Sequence, residues 1–139
     1  MPAVKHLDHL NLSVRNFDQS ADWYRRVFGF EVVEKGVYQG QPWGVLKGGD
    51  AMLCVYEHAE LKHEPDADAL ANAGFHRIAH FGLRITDRAA WEATVKREGL
   101  TVHYGGAYEW PHSTSWYIDD PTGYSIEVAL WNDDTPNFG

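Results

Sequence analysis

Two histidines and one glutamate combine the side-chain types that hold a catalytic metal ion. His9 and His80 each lie in a short run that alternates polar and apolar residues, as a half-buried β-strand does. Glu127 lies within an otherwise apolar run, 126–130, where a buried carboxylate would be costly without a metal or a cationic partner. Two histidines and a carboxylate form a facial triad, which leaves coordination positions of the metal open.

A structural interpretation of the same residues stays open. A single histidine in a strand is more often a satisfied structural residue than a ligand, and a glutamate on an edge strand often faces solvent. The argument for a metal site is that His9 and His80 lie 71 residues apart at equivalent positions of a repeat. If the repeats are related by a pseudo-two-fold axis, both side chains converge on one site.

The elements that must position these residues occur twice along the chain. The stretch 9–14 matches 80–85, and two glycines typical of helix C-termini, Gly29 and Gly99, lie 70 residues apart. Each half reads as strand–helix–strand–strand–strand. The sequence therefore predicts an α+β fold of two repeated modules.

The bounds of the predicted elements follow from turn and capping signals. One helix is predicted over about 20–28 after a start at 16–18, and another over 88–98. A strand is predicted over 100–104. The modules are then expected over about 5–57 and 77–131, with a linker containing a short helix over about 58–76.

Composition excludes several classes of protein. The chain has 139 residues and a formal net charge of −8, which argues against nucleic-acid and anionic membrane partners. No apolar run approaches the roughly 20 residues of a membrane span, and the N-terminus lacks a secretory signal. The single cysteine cannot form an internal disulfide. We therefore expect a cytoplasmic protein.

The run 120–127, Asp-Pro-Thr-Gly-Tyr-Ser-Ile-Glu, together with the two histidines, resembles the vicinal oxygen chelate superfamily. That superfamily includes glyoxalase I, fosfomycin-resistance proteins, extradiol dioxygenases and bleomycin-resistance proteins. The resemblance covers about residues 5–131. It implies two tandem βαβββ modules that form a cup-shaped mixed sheet with helices outside, and a metal held in the cup by His9, His80 and Glu127.

The resemblance also implies a fourth ligand position on the last strand of the first module, at Cys54 or its neighbour. Glyoxalase I-like members carry a carboxylate or glutamine there. Cys54 could bind a soft metal as a thiolate, but a free cysteine is more often a small buried hydrophobe. This departure favours a three-ligand site, as in extradiol dioxygenases and fosfomycin-modifying enzymes. The chain has no Lys or Arg after Gly105, unlike the basic phosphonate site of the latter.

Other residues would handle protons or bind substrate. Tyr117 resembles the active-site tyrosine of extradiol dioxygenases, and its phenol could hydrogen-bond a bound oxygen ligand, although core packing is an equal alternative. His112 is a candidate proton shuttle near pH 7. The substrate-binding candidates lie on a predicted cavity face, supply an aromatic wall or lie near the fourth ligand position: Asn11, Arg84, Tyr108, Trp110 and Cys54.

These features favour a metal-dependent enzyme that chelates vicinal oxygens of a small substrate, in particular an extradiol-type ring-cleaving dioxygenase. Fe(II) is the expected metal, with Mn, Ni or Zn as alternatives. Other functions stay open, namely a glyoxalase-like lyase or isomerase, a glutathione or thiol transferase, and a non-catalytic drug-binding protein of the bleomycin-resistance type. A homodimer is expected, because a partner chain often completes such cups.

Overall fold

The computed structural model describes residues 2–62, 72–74 and 76–138. The chain divides into two compact units, Met1–Lys62 and His63–Gly139. Within the described residues, each unit contains one four-stranded sheet and one α-helix of eleven or twelve residues. None of the described helices is long and apolar enough to cross a membrane.

The first unit is a βαβββ module. Its sheet has the order β1-β4-β3-β2, in which β1 runs parallel to β4 and the other neighbours are antiparallel. Its elements are β1 (Leu10–Val14), α1 (Phe17–Phe28), β2 (Glu31–Tyr38), β3 (Gln41–Gly48) and β4 (Ala51–Glu57).

The second unit repeats this topology with the order β5-β8-β7-β6, and β5 again runs parallel to β8. Its elements are β5 (Phe81–Ile85), α2 (Arg88–Glu98), β6 (Tyr108–Glu109), β7 (Ser113–Asp119) and β8 (Ser125–Trp131). The predicted α+β fold with two tandem βαβββ modules is confirmed. The cup-shaped arrangement of the sheets stays a prediction.

Both helices begin and end at the residues that the sequence signals indicated. The side chain of Asn16 accepts a hydrogen bond from the Gln19 backbone N–H at 2.8 Å, and Asp87 does the same for Ala90 at 3.0 Å. Gly29 and Gly99 then adopt the left-handed conformation, with φ of 72° and 60°.

One face of the second sheet is core. Trp91 of α2 and Trp116 of β7 are buried, and their rings meet edge to face with centroids 6.4 Å apart. Ile126 and Val128 of β8 are completely buried. Because side chains alternate along a strand, Glu127 between them lies on the other face, away from α2.

The predicted strand over 100–104 is wrong. The backbone has positive φ at Tyr104 (58°), Gly105 (80°) and Gly106 (117°), so the chain turns where the strand was expected to run. The edge strand beside β7, on the side away from β8, is instead the two-residue strand β6. The short helix predicted in the linker lies outside the described residues except for 72–74.

Candidate metal and substrate site

Glu127 lies at the centre of the open face of the second sheet. The register pairs it with Gly82 of β5 on one side and with Tyr117 of β7 on the other. The Glu127 side chain is 21% exposed. Because Gly82 has no side chain, nothing from that position of β5 covers the carboxylate.

Three side chains contact the Glu127 carboxylate. Ser115 Oγ donates a hydrogen bond to Oε1 at 2.6 Å, and His80 Nε2 lies 3.0 Å from Oε2. The Tyr117 hydroxyl also hydrogen-bonds this carboxylate. The tertiary fold thus brings together His80, Tyr117 and Glu127, which the sequence predicted, and adds Ser115, which it did not. The only signal for Ser115 was the strand alternation that places it on the same face as Tyr117.

Tyr117 is a half-buried phenol in a polar environment. Burial raises the pKa of its hydroxyl above the usual value, and the negative charge of Glu127 raises the pKa further. Hydrogen bonds from Trp110 and Ser115 act in the opposite direction, but the pKa stays raised. The phenol is therefore a protonated hydrogen-bond donor at neutral pH. Its ring also meets the His80 imidazole edge to face, with centroids 6.0 Å apart.

The substrate-binding candidates of this unit lie around the same face. Arg84 follows Gly82 by two residues on β5, and its guanidinium carbon lies 4.2 Å from the Trp131 ring centroid. Tyr108 and Trp110 are exposed, and their ring centroids are 4.5 Å apart. Trp110 reaches the open face through its hydrogen bond to Tyr117.

His112 is exposed in the turn before β7, five residues from Tyr117. That separation is roughly 16 Å along an extended strand, so the backbone does not bring the two residues together. A different histidine lies nearer. The backbone N–H of His103 donates to the Tyr117 carbonyl at 2.8 Å, and its Nε2 lies 2.9 Å from Asp119 Oδ2. No motif in the sequence indicated this pair.

In the first unit, Asn11 of β1 pairs in register with Cys54 of β4. The Tyr56 hydroxyl hydrogen-bonds the Cys54 thiol, and burial followed by the Cys54 charge raises the pKa of Tyr56 above its usual value. Tyr56 also stacks on Trp43, with centroids 5.8 Å apart and planes 15° apart. Cys54 is therefore part of a side-chain cluster on this sheet.

An open cavity of about 500 Å³ lies near the end of β4 in the first unit. Its walls contain none of the residues that the sequence assigned to the site: Ser13, Gln41, His58, Ala59, Glu60 and Leu61. We therefore do not assign substrate binding to it.

Residues 6–128 match the sequence model of the Glyoxalase/Bleomycin resistance protein/Dioxygenase superfamily. The chain belongs to this superfamily. Because the match includes both repeated strands and the run that ends at β8, it covers every predicted metal ligand.

The relatives that this chain matches are named for different enzymes. A catechol-2,3-dioxygenase of Bacillus subtilis (strain 168) is 25% identical over 126 residues, which are 88% of this chain but 40% of the relative. The chain thus spans less than half the length of this curated relative. A lactoylglutathione lyase structure from Agrobacterium tumefaciens is 26% identical, with a TM-score of 0.64 and coverage of 93% of this chain and 96% of that one.

A glyoxylase/bleomycin resistance protein/dioxygenase domain from Frankia sp. EAN1pec is more similar in structure and less similar in sequence. Its TM-score is 0.77 at 15% identity, and 96% of each chain is covered. This likeness supports the fold alone.

Superfamily members commonly use divalent metals, and the His80–Glu127 pair fits such an ion. The observed distance between His80 Nε2 and Glu127 Oε2 is 3.0 Å. Imidazole and carboxylate together suit Fe, Mn, Ni and Zn.

His9 has the local features of a metal ligand, but it belongs to the first unit. Its Nδ1 lies 2.8 Å from Asp8 Oδ2, which leaves Nε2 available, and its side chain is 48% exposed. Metal-bound histidines commonly donate their second N–H to a carboxylate in this way. Among the residues that the structure describes, no group of three or more His, Cys, Asp or Glu side chains is assembled.

Proposed function

We propose that this superfamily member is a metal-dependent enzyme, an extradiol-type ring-cleaving dioxygenase that uses Fe(II). The observation that carries the proposal is the arrangement on the second sheet, where His80 Nε2 and Glu127 Oε2 are 3.0 Å apart and the Tyr117 phenol contacts the same carboxylate. The similarity to a catechol-2,3-dioxygenase over 88% of the chain supports this choice.

Three ligands are proposed, namely His9, His80 and Glu127. A divalent ion held by them would act as a Lewis acid and as a template for two adjacent oxygens of the substrate. With three protein ligands, coordination positions remain for a small molecule. Cys54 is not included, because Tyr56 already hydrogen-bonds its thiol.

The surrounding residues have separate roles in this proposal. Ser115 orients Glu127 through the 2.6 Å hydrogen bond to Oε1, which leaves Oε2 on the side of His80. Tyr117 stays protonated at neutral pH because its pKa is raised, so it can donate a hydrogen bond to a substrate oxygen. The exposed rings of Tyr108 and Trp110 offer apolar surface for an aromatic substrate.

A glyoxalase-like lyase is the second candidate. The structural likeness to a lactoylglutathione lyase at 26% identity favours it. In that case Ni, Zn or Mn would replace Fe(II), and Glu127 would act as a base as well as a ligand. The two reactions differ in their need for dioxygen, which makes them separable by experiment.

The test is anaerobic reconstitution with Fe(II), followed by measurement of oxygen uptake and ring-cleavage absorbance across a panel of catechols. We expect uptake in the wild type and its loss in Glu127→Gln. Glu109→Gln is the matched control, because Glu109 likewise accepts a hydroxyl hydrogen bond, from Thr114 at 2.7 Å, but lies on β6 and pairs with Arg88. Tyr117→Phe should keep the metal and lose most of the activity.

Full Fe(II) loading with no oxygen uptake on any catechol would contradict the dioxygenase proposal. Turnover of the thiol adduct of a 2-oxoaldehyde by the same protein would then establish the lyase. Failure to bind any metal would contradict both enzymes and leave a ligand-binding protein.

A further inference from the structure

We propose that Arg84, stacked on Trp131, binds a carboxylate group of the substrate, so that this protein acts on small oxygen-chelating molecules that carry a carboxylate. This inference deepens the proposed function. The claim that the substrate chelates a metal rests on the proposed function, and the claim that it carries a carboxylate rests on the geometry of Arg84 alone.

Arg84 projects from the same face of the second sheet as Glu127. The register pairs Arg84 with Ala129 and Gly82 with Glu127. Arg84 therefore lies two residues further along the strands than Glu127. Two residues of a strand span about 7 Å. The guanidinium reaches further, over Trp131, which lies four residues or about 13 Å from Glu127 along β8, so one aromatic ring with chelating oxygens at one end and a carboxylate at the other fits between the two groups.

The guanidinium of Arg84 is oriented but accessible. Its carbon lies 4.2 Å from the Trp131 ring centroid, and Phe138 packs edge to face on the same ring at 4.8 Å. The Arg84 side chain is still 44% exposed. Because the guanidinium is only partly covered, its N–H donors stay accessible, and they fit a carboxylate in a bidentate manner.

The charge partner that Arg84 has in the structure is weak. Asp134 Oδ1 lies 3.8 Å from Arg84 Nη1, beyond hydrogen-bonding distance, and the Asp134 side chain is fully exposed. Solvent screens such a pair, which contributes little free energy. An incoming carboxylate that makes two direct hydrogen bonds can therefore replace Asp134.

The charge of the site favours a carboxylate over a phosphate group. Arg84 is the one basic residue in the four strands of the second unit. A dianionic phosphate is usually held by several cations or by a helix N-terminus, whereas one guanidinium matches one carboxylate.

The test compares the affinities of catechol, 3,4-dihydroxybenzoate, benzoate and phenyl phosphate by isothermal titration calorimetry. In the metal-loaded wild type, 3,4-dihydroxybenzoate should bind about tenfold more tightly than catechol. Arg84→Gln should reduce this advantage to less than twofold. Arg97→Gln, which removes the same charge from the last turn of α2, should keep it. Asp134→Asn should tighten the binding of 3,4-dihydroxybenzoate two- to threefold, while Asp50→Asn should have no effect.

A second readout separates this proposal from the dioxygenase proposal. Benzoate cannot chelate through vicinal oxygens, but it should shift the Trp131 indole resonance in the metal-free protein and not in Arg84→Gln. If benzoate gives this shift and catechols are not oxidised, the anion site stands and the dioxygenase fails. An equal affinity for catechol and its carboxylate, an advantage that survives Arg84→Gln, or tighter binding of phenyl phosphate than of benzoate would overturn the carboxylate proposal.

Discussion

Cys54 and Glu127 hold the same register position in the two sheets. Cys54 pairs with Asn11 of β1, and Glu127 pairs with Gly82 of β5, the residue that corresponds to Asn11 in the repeat. The duplicated position thus carries a carboxylate in the second unit and a thiol hydrogen-bonded to Tyr56 in the first. The first unit therefore offers one candidate ligand, His9, and the second offers two.

The asymmetry between the units predicts which substitutions remove the metal. His9→Ala and His80→Ala should each reduce bound metal by at least tenfold, because each removes one of the three proposed ligands. Cys54→Ala should retain full loading. The measurement is elemental analysis after dialysis against Fe(II) or Mn(II), with His112→Ala as the exposed-histidine control. Full metal content in both His9→Ala and His80→Ala would show that the proposed ligand set is wrong.

Ser115→Ala tests whether a hydrogen bond to the proposed ligand Glu127 tunes the metal affinity. The variant removes the 2.6 Å bond to Glu127 Oε1, and we expect metal affinity to fall by about 10- to 100-fold. Thr114→Val is the matched control, because it removes the neighbouring hydroxyl that bonds Glu109 on the other side of the strand. Competition with a chelating dye measures both. Equal losses in the two variants would mean that the effect is general and not transmitted through Glu127.

The Tyr56 hydroxyl should titrate above its usual pKa of about 10. Burial is the main cause, and the Cys54 side chain adds to it, so removal of the thiol should lower the midpoint. The difference in absorbance near 295 nm between the wild type and Tyr56→Phe during an alkaline titration isolates this group. Cys54→Ala should shift the midpoint down, and Met52→Ala on the same strand should not. A midpoint below the usual value in the wild type would contradict the partial burial of Tyr56 beside Cys54.

Asp120 should be important for stability. Its Oδ1 accepts three backbone hydrogen bonds in the turn before β8, from Thr122 (2.9 Å), Gly123 (2.8 Å) and Tyr124 (2.8 Å), and its side chain is buried. Asp120→Ala should lower the free energy of unfolding by about 3 kcal/mol, because buried donors lose a charged acceptor. Asp120→Asn keeps an acceptor oxygen and should cost about 1 kcal/mol. Urea denaturation measures both, and similar stabilities for wild type and Asp120→Ala would refute this role.

Local sequence signals accounted for most of the elements. The ends of both helices were predictable from Asn16, Gly29, Asp87 and Gly99, since capping depends on a few neighbouring residues. The strand over 100–104 was predicted wrongly, because an apolar alternating run can be overridden by backbone turns at Tyr104 and the two glycines after it. Whether the chain turns there depends on where strand β7 lies in the fold. The sequence alone does not give that position.

The sequence by itself determined the repeat, the alternation of strand faces and the candidates His9, His80 and Glu127, because these depend on residue type and short-range period, whereas Tyr117 was a candidate only through the family resemblance. Tertiary structure decided which side chains meet. Cys54 and Glu127 lie 73 residues apart, whereas Asn11 and Gly82 lie 71 apart, so the sequence placed the equivalent position only at Cys54 or its neighbour, and strand pairing identified Cys54. The hydrogen bond from Ser115 to Glu127 and the stacking of Arg84 on Trp131 likewise follow from strand register, which places distant residues side by side.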